Sequence, residues 1–242
     1  MALDPPSEVV TFLNVIGVGW PLVNEDTVRD FAGHVRTFAS NIESTHQAAT
    51  ATITDMGQAY QGASYDALVA KWADMSSTHM TALIDGCNVL AEALDVAADY
   101  IVQMKMEAIA ELVGMAISFV ADQAASVLTL GLAEAAEALI VEAGEKAVEF
   151  LKQELVQYII GQVVEAAVKP LMAVVEKAVN GFGFQATESI LGVTGDSASP
   201  GPTFGIDPDA LTGHAATMRG HAQTVAGHAA TFKADTAGMD FR

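Results

Sequence analysis

From Val28 onward, apolar side chains return at steps of three and four: Val28, Phe31, Val35, Phe38 and Ile42, then the weaker Thr45, Ala49 and Thr52. This alternation is the seam of a helix packed against another helix. Asn24 stands where an N-cap is needed, and Glu25 and Asp26 suit the positive end of the helix dipole. The pattern stops near Asp55. "DMGQAYQGAS" (55–64) carries two glycines and predicts a turn. A second seam follows through Tyr65, Leu68, Trp72, Met75, His79, Leu83, Leu90, Leu94, Ala97, Ile101 and Met104. Two long seamed helices joined by a short turn predict an antiparallel hairpin. Arms of about 30 to 40 residues would each reach roughly 45–60 Å.

Outside the hairpin the pattern remains helical. A short apolar helix is expected over residues 4 to 16, with Asp4 as cap and Pro5 in its first turn, ended by "GVGWP" (17–21). Residues 105 to 190 read as alanine-rich helix with breaks near "LTLGLA" (128–133), "KPL" (169–171) and "NGFGF" (180–184). "GVTGDSASPGPTFG" (192–205) has linker composition, and Asp207 and Pro208 then open a last helix. The predicted fold is all-α: a long antiparallel hairpin plus further alanine-rich helices in an elongated bundle. Its expected parts are the hairpin with its short leading helix (1–104), a helical extension (105–190), a linker (191–206) and the start of a second hairpin-like helix (207–242).

That last helix repeats Gly-His-Ala three times, seven residues apart, in "GHAATMRGHAQTVAGHAATFK". Three histidines at fixed spacing suggest a metal site, but His214, His221 and His228 stand two turns apart, roughly 10 Å along the axis. Helical zinc ligands need spacings of three or four. Leu211, Ala215, Met218, Ala222, Val225, Ala229 and Phe232 form a 3/4 seam, so the histidines read as seam-flanking residues at a helix contact. The alternative is a metal shared with another helix or chain.

Composition narrows the function. The chain has 242 residues, 30 acidic and 11 basic side chains and a net charge of −19. That charge repels nucleic acid phosphates and anionic lipid surfaces. The lone Cys87 falls in an apolar helical pattern and reads as a small core residue. The start, "MALDPPSEVV", has no basic n-region and is not a Sec-type signal. The longest uncharged apolar stretch, "LVGMAISFVA" (112–121), is too short to span a bilayer alone. No metalloprotease motif, phosphate loop or nucleophile elbow is present, so no catalytic residues, cofactor or metal are expected.

Residues 30–40, "DFAGHVRTFAS", line up with 210–220, "ALTGHAATMRG", as a short internal repeat. Three ordered blocks carry a wider likeness: "GWPLVNEDTVRDFA", the turn "YQGASYDALVAKWADM", and the return arm ending "ALDVAADYIVQMKMEAIAEL". Over roughly residues 17 to 190 they resemble the WXG family of helical hairpins secreted by type VII systems, and in particular the N-terminal domains of actinobacterial polymorphic toxins. Those domains also continue into alanine-rich helices with a Thr-x-Gly break, as at Thr129-Leu130-Gly131. The family's Trp-x-Gly turn reads Tyr60-Gln61-Gly62 here, which keeps an aromatic wedge and the flexible glycine. The family's Tyr-x-x-x-Asp/Glu export signal is absent: four residues after Tyr60, Tyr65, Tyr100 and Tyr158 stand Ser64, Val69, Met104 and Gln162.

The resemblance implies a non-enzymatic secretion substrate or toxin delivery and docking domain. Its turn residues Tyr60 and Gly62, with Trp72 and Trp20, would meet a partner. The implied partners are a small WXG-family hairpin protein or a second copy, and the secretion ATPase. The implied location is the cell surface or medium, reached by a Sec-independent route from the cytoplasm. Two alternatives stay open: a membrane-inserting pore or translocation element from residues 105–185, and a self-associating structural protein.

Overall fold

The computed structural model describes residues 2–126, 132–184 and 205–242. The chain is all-α. Its helices are α1 (Ser7–Ile16), α2 (Glu25–Ala59), α3 (Ala63–Met75), α4 (Thr81–Ser126), α5 (Leu132–Tyr158), α6 (Lys169–Phe184) and α7 (Pro208–Thr236). Among the described residues the only strands are β1 (Tyr60–Gln61) and β2 (Gly205–Ile206), so neither hairpin arm contains a strand of any length. The expected break at Thr129-Leu130-Gly131 and the expected linker up to residue 204 lie outside the described residues.

The helices group into two compact units. The first comprises residues 1–31, 92–166 and 239–242, the second residues 32–91 and 167–238. In the first, Val9, Phe12 and Leu13 of α1 meet Leu112, Ala116 and Phe119 of α4 and Val148 of α5 in one buried cluster. The Phe12 and Phe119 rings are 5.4 Å apart. The helix α1 starts at Ser7 with Pro6 extended before it and no side-chain cap, so the expected Asp4 cap is not formed. The cause is local: a residue that precedes proline is pushed out of the helical region, so Pro5 cannot be helical ahead of Pro6. At the other end Gly17, at φ 74°, closes a Schellman turn, with Val18 N–H donating to Leu13 O at 3.0 Å.

Also in the first unit, the α2 cap forms as predicted. Asn24 Oδ1 accepts from the N–H groups of Asp26 (3.0 Å) and Thr27 (3.2 Å). Glu25 does more than favour the dipole. It is 2 % exposed, and its Oε2 lies 2.8 Å from Lys105 Nζ of α4, itself 1 % exposed. Lys105 also donates to Val23 O at 2.5 Å, while Leu3 N–H donates to Glu25 Oε1.

In the second unit most of the α2 seam is buried as read, at Val35, Ile42, Thr45, Ala49 and Thr52, with Ala39, Ile53 and Met56 added, while Phe38 is half-buried. Antiparallel pairing with the return arm appears in Arg36 donating to Ala91 O and Trp72 donating to Thr50. Two details differ from the pattern. The first arm runs on to Ala59, so Gly57 is helical rather than part of the turn. The return arm is interrupted by a π-helical turn at Ser76–Met80, where Thr81 Oγ1 donates to Ser76 O. Ser77 and Thr78 hydroxyls both donate to Asp74 O, the back-bonding that loosens a helical ladder.

The expected break at 169–171 is a change of winding. Ile159–Val168 is π-helical and α6 follows directly. Pro170 lacks an N–H and crowds the carbonyl four residues back, which a wider turn relieves.

Candidate functional site

The hairpin turn lies in the second unit. After α2 ends, Tyr60 pairs with Ile206 and Gln61 with Gly205 in an antiparallel bridge, and Asp207 N–H donates to Ala59 O at 2.8 Å. Asp207 Oδ1 in turn caps α7 by accepting from Asp209 and Ala210. Gly62 has φ 139° and ψ 175°, a region that only glycine occupies at low cost. Its carbonyl accepts from Tyr65 N–H (2.9 Å) and Asp66 N–H (3.2 Å), which starts α3.

Tyr60 is half-buried, its ring set edge-on to Tyr65 at 6.3 Å. Tyr65 closes the hairpin by donating from its hydroxyl to Ile53 O (3.1 Å), and it reaches Thr54 O at 3.4 Å. Its ring lies over Gly57, where a Cβ would sit 2.5 Å from the phenol oxygen. The Tyr65–Gly57 contact was not read from the sequence. A glycine inside a helix costs about 1 kcal/mol relative to alanine, so Gly57 was the available signal of a close approach.

Two turns beyond Tyr65, Trp72 stacks on His46 of α2 with centroids 5.2 Å apart and planes at 21°. Its Nε1 donates to Thr50 Oγ1 at 2.9 Å. His46 Nε2 lies 2.6 Å from Ser76 Oγ, at the start of the π-turn. Burial lowers the His46 pKa below its ordinary value, favouring the neutral ring. His46 was not singled out from sequence, because it stands beside the seam residue Thr45 and reads as polar surface.

Trp20 belongs to the other unit. It packs beside the cluster of α1, α4 and α5, and its buried Nε1 has no hydrogen-bond partner among the described residues. The four residues singled out from sequence therefore do not form one site. Tyr60 and Gly62 share the turn, Trp72 has its own partners on α2, and Trp20 serves another core.

The histidines of α7 take the seam itself. Leu211, His214, Met218, His221, Val225, His228 and Phe232 are half-buried, whereas Ala222 and Ala229, expected in the seam, are exposed. His228 Nε2 lies 3.0 Å from Thr45 Oγ1 and His221 Nε2 lies 3.1 Å from Thr52 Oγ1. The two weak threonines of the α2 seam thus meet two weak histidines of the α7 seam, both seven residues apart. Phe38 and Phe232 add a ring contact at 5.2 Å. Among the described residues no group of three His, Cys, Asp or Glu side chains is placed to hold a metal ion.

This helical architecture, with an aromatic–x–glycine turn, agrees with comparison to known proteins. A family model described as a WXG100 like domain matches residues 4–147. The chain belongs to that family, a class of helical proteins related to type VII secretion. No curated protein and no solved structure gives a match.

Proposed function

We propose that this chain is a type VII secretion substrate that acts as a delivery and docking domain, of the kind that fronts actinobacterial polymorphic toxins, and does no chemistry of its own. The observation that carries the reading is the family match over a hairpin whose turn keeps an aromatic residue and a glycine in a glycine-only conformation. Three polar groups beside the turn are bonded within the hairpin: the Tyr65 hydroxyl to α2 carbonyls, Trp72 Nε1 to Thr50, His46 to Ser76. What it offers a partner is aromatic surface and shape. Fitting partners are a small WXG-family hairpin or a second copy, followed by the secretion ATPase, with release at the cell surface or into the medium.

The test compares culture-medium recovery in a strain with an intact type VII apparatus and a strain lacking its ATPase, with lysis excluded. Protein in the medium only of the intact strain, reduced by Tyr60→Ala with Trp72→Ala while the cell-associated pool persists, is the expected result. Equal recovery from both strains would remove type VII export.

One observation favours a second reading, a membrane-inserting element. The helical stretch Glu137–Glu176 is long and apolar enough to cross a bilayer, with 11 % of its most apolar window buried. Phe150 and Met172 are 59 % and 65 % exposed. Dye leakage from neutral-lipid vesicles at micromolar protein, without a partner, would support it.

A further inference from the structure

The second unit contains a cleft of about 500 Å³ between α2, the return arm with its π-turn, and α7. Ile42, Ala49, Trp72, Met80, Met218 and Ala222 are among its lining residues, and among the described residues no Asp, Glu, Lys or Arg side chain lines it. A space of this size lies within the range of small-molecule sites. Methionines on two walls give an adaptable lining, and π-turns such as Ser76–Met80 recur at functional sites.

The polar side chains of the wall define the ligand by what they have already bonded. Thr45 faces His228, His46 faces Ser76, Trp72 donates to Thr50 and His221 faces Thr52. Each of the four is engaged within the protein, and among the described residues no fixed charge lines the cleft for an ionic headgroup. Recognition therefore rests on apolar contact. At roughly 30 Å³ per water-sized group, a cleft of about 500 Å³ has room for about sixteen such groups, enough for an aliphatic chain of a dozen carbons. We infer that this cleft is a binding site for a single uncharged aliphatic chain with its polar end toward solvent.

The chain has two tryptophans, and one of them, Trp72, lines the cleft. In a Trp20→Phe background, with Trp72 as the remaining tryptophan, the full chain is titrated with 11-bromo-1-undecanol, whose bromine quenches tryptophan on contact. Saturable quenching at one molecule per chain, reversed by 1-undecanol, is expected. Ala222→Phe fills the cleft from an exposed position and should weaken binding about tenfold or more by displacing apolar contact. Ala216→Phe, exposed on α7 outside the lining, should leave it unchanged. Circular dichroism establishes that both variants are folded. Absence of saturable quenching, or equal quenching in both alanine variants, would overturn the site. Undecanoate binding as tightly as undecanol at neutral pH would overturn the uncharged class.

Discussion

Among the described residues, Lys105 is the largest side chain with under 2 % exposure, and it ends in a charge. Replacing it with methionine keeps the stem's volume and removes the ammonium. Glu25 is then left buried beside Leu3, with no cation within ion-pair distance among the described residues, and Val23 O loses its donor. Removing one member of a buried ion pair costs about 3–5 kcal/mol, because the remaining charge stays desolvated. The Lys105→Met, Glu25→Gln double variant no longer holds that charge, and glutamine still offers an oxygen to Leu3. It should recover about 1–3 kcal/mol of the single loss. Urea denaturation followed by circular dichroism measures both. Burial alone would raise the Glu25 pKa, but the Lys105 hydrogen bond, backbone donors and the Lys105 charge together hold it below its ordinary value. A carboxyl depressed on folding stabilises above its unfolded pKa, and that contribution fades as pH falls through the folded one. The wild type should therefore lose part of its margin below about pH 4.5, and Glu25→Gln should flatten that slope. A Lys105→Met cost under about 1 kcal/mol, or a double variant no better than the single, would refute the pair as an interlocked unit.

Gly62→Val forces a branched side chain into a glycine-only conformation and should lower stability by about 1–3 kcal/mol, read as a lower melting temperature. Gly57→Ala places a methyl against the Tyr65 ring and should cost about 1–3 kcal/mol, with much of that loss absent in a Tyr65→Leu background. His46 has its pKa lowered by burial, so the unfolded chain takes up the proton first and stability should fall as pH drops below about 6.5. His46→Phe should flatten the melting temperature across that window.

The hairpin was legible from residue order because its signals are local. The 3/4 seam from Val28 to Thr52 fixes which face of α2 is buried, and Asn24 and Asp207 cap their helices through backbone groups two and three residues away. The Tyr60–Gly62 turn was visible for the same reason, since glycine alone tolerates the backbone there. Pairings between distant residues were not visible. Lys105 continues the buried face of Ile101, Ala108 and Leu112, but a charged residue reads as surface until Glu25, 80 residues away, is placed against it. The histidines of α7 read as flanking its alanine seam, because imidazole beside alanine looks polar. Only the facing threonines of α2 turn His221 and His228 into packed, hydrogen-bonded residues. The stacking of Trp72 on His46, and the cleft it borders, likewise follow from helices meeting across the chain. Periodicity, caps and turns are set within a few residues of sequence, whereas burial of a polar group depends on a partner that tertiary packing supplies.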